Sequence, residues 1–258
     1  FLAAHTGNKS FEKEKIYTYI SDGGIQEEIS QGAGRLAGYL GLDNLVMFYD
    51  SNGIQLSTTC EDVSAEDTAM KYRAWNWNVL EIDGNDCEAI RGALLAAHEE
   101  HNRPTLIIGK CVMGKGCLRA DGTSYENDCG THGCALGEGA YENTIKNLGG
   151  NPGNPFVVWK ETETLYAERK LELKELVAQR KKEENEWAAA NPEKARKLED
   201  WFANRLPEID WETIEQKPGK ATRVGSQIVL GRLAEKVENM VCSSADLCNS
   251  DKTDGFLK

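Results

Sequence analysis

No stretch of this chain approaches the roughly 20 consecutive apolar residues of a membrane-spanning helix, so no contact with a membrane interior is expected. Equally absent is a basic stripe with interleaved aromatics, which recognition of a phosphate backbone requires. The charge balance runs the other way, −12 at neutral pH with a pI near 4.9, and argues against nucleic acid as a partner. Neither a Walker lysine motif nor a Gly-x-Gly-x-x-Gly strand turn occurs, which sets aside the common nucleotide-binding α/β families. The opening Phe1-Leu2-Ala3-Ala4 lacks the basic lead of a secretory leader and soon gives way to Asn8-Lys9-Ser10. Starting on Phe and stopping at Phe256-Leu257-Lys258 after an Asp-Gly turn, the chain reads as a piece of a longer protein.

The eight cysteines form no disulfide framework. Cys111 and Cys242 lie in apolar runs that read as strands, where a thiol serves as a small buried hydrophobe, and this fits a reducing cytoplasm. Cys111, Cys117, Cys129 and Cys134, with His132 beside the last, lack the tight paired spacing of zinc ligands, so free thiols are expected. At 258 residues the chain is long enough for one large or two smaller cores.

What is present is organised around Asp22 to Ile54. Lys15–Ile20 and Leu45–Tyr49 read as strands, the first closed by Ser21-Asp22-Gly23-Gly24 and the second by Asp50-Ser51-Asn52-Gly53-Ile54. Between them Ile25, Ile29, Leu36 and Leu40 share one face of an expected helix over 25–40. A helix over 65–75 capped by Ser64, a strand over 79–83, a helix over 87–98 and a strand over 105–112 continue the alternation. The fold class is therefore α/β: a parallel sheet with helices on both faces, its strands' carboxyl ends gathered on one edge where ligands bind. The glycine- and cysteine-rich excursion 113–137 hangs over that edge and makes His132 a candidate ligand-contacting group.

A helix over 138–148 precedes the breaker Asn151-Pro152-Gly153-Asn154-Pro155. Residues 160–190 read as a charged helix with an apolar stripe, Leu165, Tyr166, Leu173, Leu176 and Val177, packed along a domain. A helix over 223–238 capped by Thr222 and a short strand over 240–244 look like the first α-β unit of a second α/β domain. The expected division is 1–150, a helical linker 151–220, and the start of a second domain 221–258.

Asp22, Asn52 and the Ile54 carbonyl offer one charged and two neutral oxygens. Magnesium favours one or two carboxylates together with waters and phosphate oxygens, so three protein ligands leave room for a diphosphate. Gly23 and Gly24 let backbone approach it closely, beside the amides of a helix start. This is the pattern of thiamine-diphosphate enzymes, Gly-Asp-Gly and then, beyond a helix, Asn; here Ser21 replaces the first glycine.

Having Asp22-Gly23-Gly24-Ile25-Gln26-Glu27-Glu28, Phe48-Tyr49-Asp50-Ser51-Asn52-Gly53-Ile54, Thr131-His132-Gly133, Ala221-Thr222-Arg223 and Ser243-Ser244-Ala245-Asp246-Leu247 in order, the chain resembles the transketolase family. The resemblance implies the thiamine-diphosphate-binding fold, thiamine diphosphate as cofactor, magnesium (or calcium or manganese) held by Asp22, Asn52 and Ile54, and His132 as a catalytic and cofactor-binding group. It further implies Glu27 at a homodimer interface, Asp246 near the thiazolium from the pyrimidine-binding domain, and Arg223 with Ser250 on the sugar phosphate. The implied reaction moves a two-carbon ketol unit from a ketose phosphate to an aldose phosphate. The family's activating glutamate falls outside these residues, so residues 1–258 alone are expected to be inactive. Cys129 stands where the family has a histidine. A related synthase using the same cofactor, or a non-catalytic cofactor- or partner-binding module, are the alternatives.

Overall fold

Strand β2 (Leu45–Ser51) shows how the chain folds, because its two faces are used differently. The computed structural model of the protein describes residues 2, 6–8, 11 and 14–257. Phe1, Ala3, Ala4, Lys9, Ser10 and Lys258, on which the readings of the two termini lean, lie outside them. In β2, side chains alternate across the pleat, so Met47 and Tyr49 enter one core and Val46 and Phe48 the other. β1 (Ile16–Ser21), β3 (Asn78–Asp83) and β4 (Thr105–Lys110) complete a four-stranded sheet in the order β1-β2-β4-β3, every pair parallel. β4, central and buried from Thr105 to Gly109, reads as a continuous apolar run because both faces are covered.

Crossover handedness sets which helix covers which face. The connections β1 to β2 and β2 to β3 move one way across the sheet and β3 to β4 moves back, so right-handed crossovers put their helices on opposite faces. Helices α1 (Asp22–Gln26), α2 (Glu28–Tyr39) and α3 (Thr68–Ala74) accordingly join Met47, Tyr49, Leu106 and Ile108 through Ile25, Ala37, Ala69 and Tyr72. Helix α4 (Cys87–Glu99) meets Val46 and Ile107 through Ala93 and Ala97. Both faces carry helices, as expected.

Several local expectations are corrected. The helix over 25–40 is two helices, because Glu27 is extended (ψ 131°) and ends α1 after five residues. That break changes which stripe faces inward. Ile25 is buried, but Ile29 is 83% exposed, and Leu36 and Leu40 are also exposed. The buried side of α2 is Gly34, Ala37 and Gly38, small residues that admit Tyr72 and Trp77. The Trp77 indole N–H donates to the Gly34 carbonyl at 2.7 Å, and a Cβ on Gly38 would run into the Trp75 carbonyl. Asp67, not Ser64, caps α3, its carboxylate accepting from the Met70 N–H at 2.8 Å.

The chain divides into two compact units, Lys9–Ala167 and, together, Phe1–Asn8 with Glu168–Lys258. The first holds the sheet and α5 (Ala140–Asn147). The boundary falls within α6 (Lys160–Ala190), which buries no residue; the stripe from Leu165 to Val177 is exposed rather than packed along a domain. The second unit contains α7 (Pro192–Phe202), α8 (Thr222–Lys236), and the one-turn helices α9 (Cys248–Asp251) and α10 (Asp254–Leu257). Ala221 rather than Thr222 caps α8. Residues 240–244 form no strand, since no neighbouring strand is there among the described residues to complete a ladder. No helix among the described residues is long and apolar enough to cross a membrane.

Close approach at Gly38 gives a direct test. Gly38→Ala should destabilise the chain by about 1–3 kcal/mol, the usual cost of overpacking, read as a lower urea midpoint with unchanged slope.

Candidate functional site

Parallel strands bring the ends of β1 and β2 side by side, with Ile20 opposite Tyr49 and Ser21 opposite Asp50. Ser21 is extended (φ −105°, ψ 176°), a conformation open to a side chain, which is why serine is accepted where the pattern has glycine. Asp22 follows as the first residue of α1, so the expected turn is in fact the first turn of a short helix. Asp22 is 2% exposed. A buried carboxylate must be hydrogen-bonded, and every donor here comes from the end of β2. The Tyr49 hydroxyl donates to Asp22 Oδ1 at 2.6 Å, and the N–H groups of Asn52 and Gly53 donate to Oδ2 at 3.0 Å each. Gly53 sits at φ +74°, the left-handed conformation that lets both N–H groups converge on one oxygen.

The Asn52 side chain is held at both ends. Its Oδ1 accepts from the Ile54 N–H at 3.0 Å and its Nδ2 donates to Asp50 Oδ1 at 3.3 Å. Asp50 Oδ2 accepts in turn from the Tyr19 hydroxyl at 2.6 Å. Thus two tyrosine–aspartate pairs flank the end of β2, Tyr49–Asp22 on the face carrying Met47 and Tyr19–Asp50 on the face carrying Phe48.

The electrostatics follow from these pairings. The hydrogen bond to Asp50, and secondarily burial, pushes the Tyr19 phenol up to about 12; burial and then Asp22 push Tyr49 up as well. Burial first, then the neighbouring carboxylate, raises Cys60 to about 11 beside Asp22 and Cys111 to about 12 beside Asp50. All four stay protonated at neutral pH, and the two phenols donate to the aspartates. Among the described residues no ion pair includes Asp22 or Asp50.

This donor set fits a hard cation. An ionised carboxylate has about four lone-pair positions, and three donors leave one free on Asp22 Oδ1. Asn52 Oδ1 likewise keeps one lone pair, and among the described residues neither aspartate is ion-paired. A Cβ on Gly23 would meet nothing within 4 Å, so the backbone there is open to a ligand.

The other expected residues are placed as follows. His132 ends the 3-10 turn Cys129–Thr131 in the excursion, which is ordered by Arg119: this residue reaches Asp128 at 2.7 Å and lies 4.3 Å from the Tyr125 ring centre. The His132 Nδ1 is buried without a partner, and no hydrogen bond ties it to the Asp22 cluster among the described residues. Glu27, between α1 and α2, is exposed. Arg223 in the first turn of α8, Asp246, and Ser250 in α9 belong to the second compact unit and are all exposed. Sequence reasoning missed Tyr49, Tyr19, Asp50 and Cys60. Alternation places Tyr19 and Asp50 on one face only once the register between β1 and β2 is known. The eight cysteines are free thiols, and no cluster suited to a metal by its His, Cys, Asp and Glu content occurs among the described residues.

Residues 1–207 match the family model described as transketolase, thiamine diphosphate binding domain. The chain belongs to the transketolase family. The transketolase of Bacillus subtilis is 34% identical over 98% of this chain, and a dihydroxyacetone synthase of Pichia angusta 30% over 95%. Solved transketolases from Leishmania mexicana (TM-score 0.82, 26% identity) and from Pichia stipitis in complex with sedoheptulose-7-phosphate (TM-score 0.80, 27% identity) each align with 98% of this chain. The chain spans 38% of the Bacillus subtilis and 35% of the Pichia angusta relative, and 38% and 39% of the two structures. Within this transketolase-family sheet, Asp22, Asn52 and Ile54 are the expected site residues that the fold brings together.

Removing one donor tests the buried carboxylate. Tyr49→Phe keeps the ring and deletes the hydroxyl; it should cost about 1.5–3 kcal/mol, the range for hydrogen bonds to charged groups, in urea unfolding without added ligand.

Proposed function

We propose that this chain supplies the diphosphate- and metal-binding half of a thiamine-diphosphate site in an enzyme that transfers two-carbon ketol units between sugar phosphates. The observation that carries the reading is the convergence of Asp22 and Asn52, each with a free oxygen lone pair, at the carboxyl ends of two adjacent parallel strands. Membership of the family supports it.

Asp22, Asn52 and the Ile54 carbonyl would hold magnesium, or calcium or manganese, against the diphosphate. One carboxylate among three oxygens leaves the ion positive enough to bind an anion. Gly23 gives the backbone room beside it, whereas a Cβ on Gly24 would press on Ile20. When bound, thiamine diphosphate supplies an electron sink for breaking and making a carbon–carbon bond.

Around that group the chain's residues take distinct tasks. His132, whose Nδ1 has no protein partner, would face the diphosphate and substrate, where it can donate or accept a proton. Arg223 and Ser250 would hold a sugar phosphate, the guanidinium bidentately, with Asp246 at the cofactor's thiazolium side. The sedoheptulose-7-phosphate bound by the Pichia stipitis enzyme supports that substrate class. Glu27 would lie at a homodimer interface; α2 beside it exposes Ile29, Leu36, Tyr39 and Leu40, an apolar surface of the kind that seeks a partner. We assign residues 1–150 to the diphosphate domain, 151–220 to a linker and 221–258 to the start of the pyrimidine-binding domain, in a cytoplasmic enzyme. The dihydroxyacetone synthase relative supports a second reading, a synthase of that kind with the same site.

Calorimetry tests the site without requiring turnover. Thiamine diphosphate with magnesium should bind the chain, and Asn52→Ala should weaken binding by at least about tenfold, about 1.4 kcal/mol. Absence of heat with the unsubstituted chain, or equal affinity in the variant, would refute the assignment.

A further inference from the structure

We propose that Asp50, held by Tyr19, is a positioning residue that decides which end of the Asn52 amide faces the metal; the inference rests on the cofactor reading above. An amide has one oxygen and one NH2, and only the oxygen binds a cation. The terminal torsion of asparagine is broad and nearly two-fold, so rotation exchanges the two ends at little intrinsic cost. The neighbours settle the choice. The Ile54 N–H requires an acceptor, and Asn52 Oδ1 meets it at 3.0 Å. An ionised carboxylate only accepts, so Asp50 Oδ1 takes the Nδ2 end, at 3.3 Å. A flipped amide would set its oxygen against the Asp50 carboxylate and its NH2 against the Ile54 N–H, losing both bonds.

Asp50 is itself fixed from the next strand. Tyr19 donates to its other oxygen at 2.6 Å, and the Tyr19 ring lies parallel to that of Phe48, centroids 6.3 Å apart and planes within 4°. Phe48 is paired with Tyr19 in the strand register, and Asp50 lies two residues on, on the same face. With one oxygen taken by Tyr19 and the other by Asn52, Asp50 acts through the amide rather than as a ligand. Partners of this kind around a metal centre typically change affinity by about 10- to 100-fold.

Manganese uptake, followed by the loss of its free-ion paramagnetic resonance signal with thiamine diphosphate at saturation, tests this. Asp50→Asn should weaken manganese binding by about 10- to 100-fold in the otherwise unchanged chain. Asp50→Asn also removes a charge, so the same substitution is made with Asn52→Asp, where the two side-chain oxygens are equivalent and orientation no longer matters. There the loss should be smaller by at least about tenfold, a coupling that a cycle isolates. Equal losses in both backgrounds would mean charge alone and would overturn the proposal. Tyr19→Phe, at an exposed ring, should keep the melting temperature and show a weaker loss confined to the Asn52 background; no loss would count against the chain of contacts. If the unsubstituted chain takes up no manganese with thiamine diphosphate, the cofactor reading falls and this inference with it. If it does, and Asp50→Asn binds equally well, this inference falls alone.

Discussion

The Asp22 carboxylate is the interaction on which the rest of the site depends. It starts α1 at the end of β1, yet all three of its hydrogen-bond donors come from Tyr49, Asn52 and Gly53 at the end of β2. A charge buried to this degree is tolerable only when its oxygens are met, and leaving a buried acceptor unmet costs about 1–3 kcal/mol or more. The pairing therefore works in both directions. It makes the register between two parallel strands a condition for satisfying the charge, and it makes the charge a clamp on the turn that presents Asn52 and Ile54. The geometry of this turn and the strand register are one constraint seen from two sides.

That clamp explains why the core beneath is built from small residues and large rings. Ile25, one turn into α1, and Tyr49 belong to the same apolar cluster as Tyr72 and Trp77. Trp77 reaches the Gly34 carbonyl because Gly34 and Gly38 offer no side chain, and this draws α2 close to the sheet. A bulkier α2 would stand off, and with it α1 and Asp22. The positions that look unremarkable in the sequence are thus the ones that set the height of the Asp22 carboxylate over the strand ends.

This also marks what could be read from the sequence and what could not. The strands around Ile16–Ser21, Leu45–Ser51, Asn78–Asp83 and Thr105–Lys110 were legible from apolar runs bounded by turn residues, and α4 and α6 from their length and composition. The placement of Asp22 and Asn52 at two adjacent strand ends was legible because it is local: an oxygen side chain just past each apolar run. The break at Glu27 was not, since it is a single extended residue inside a helical pattern, and it moved the inward stripe from Ile29 and Leu36 to Gly34, Ala37 and Gly38. Tyr49 and the Tyr19–Asp50 pair were invisible for another reason. Their roles exist only between strands, and a one-residue change of register would send Tyr19 and Asp50 to opposite faces. The strand expected over 240–244 failed on the same ground, because an apolar run becomes a strand only beside a partner.

The two faces of β2 hold the Asp22 carboxylate and the Asn52 amide with unequal stiffness. On one side, Tyr49 and Asp22 are both buried, and their bond is shielded by the larger apolar cluster, where an interior hydrogen bond is electrostatically stronger. On the other, Tyr19 is exposed and Asp50 half-buried, so water competes for each of their bonds. The Asp22 carboxylate is thus fixed by core packing, while the Asn52 amide is fixed by a hydrogen-bond chain near solvent. Covering the Tyr19 face would strengthen that chain without moving a single residue of the core. The Asp22 carboxylate is therefore placed by the folding of the core, and the orientation of the Asn52 amide depends on contacts at the surface of β1.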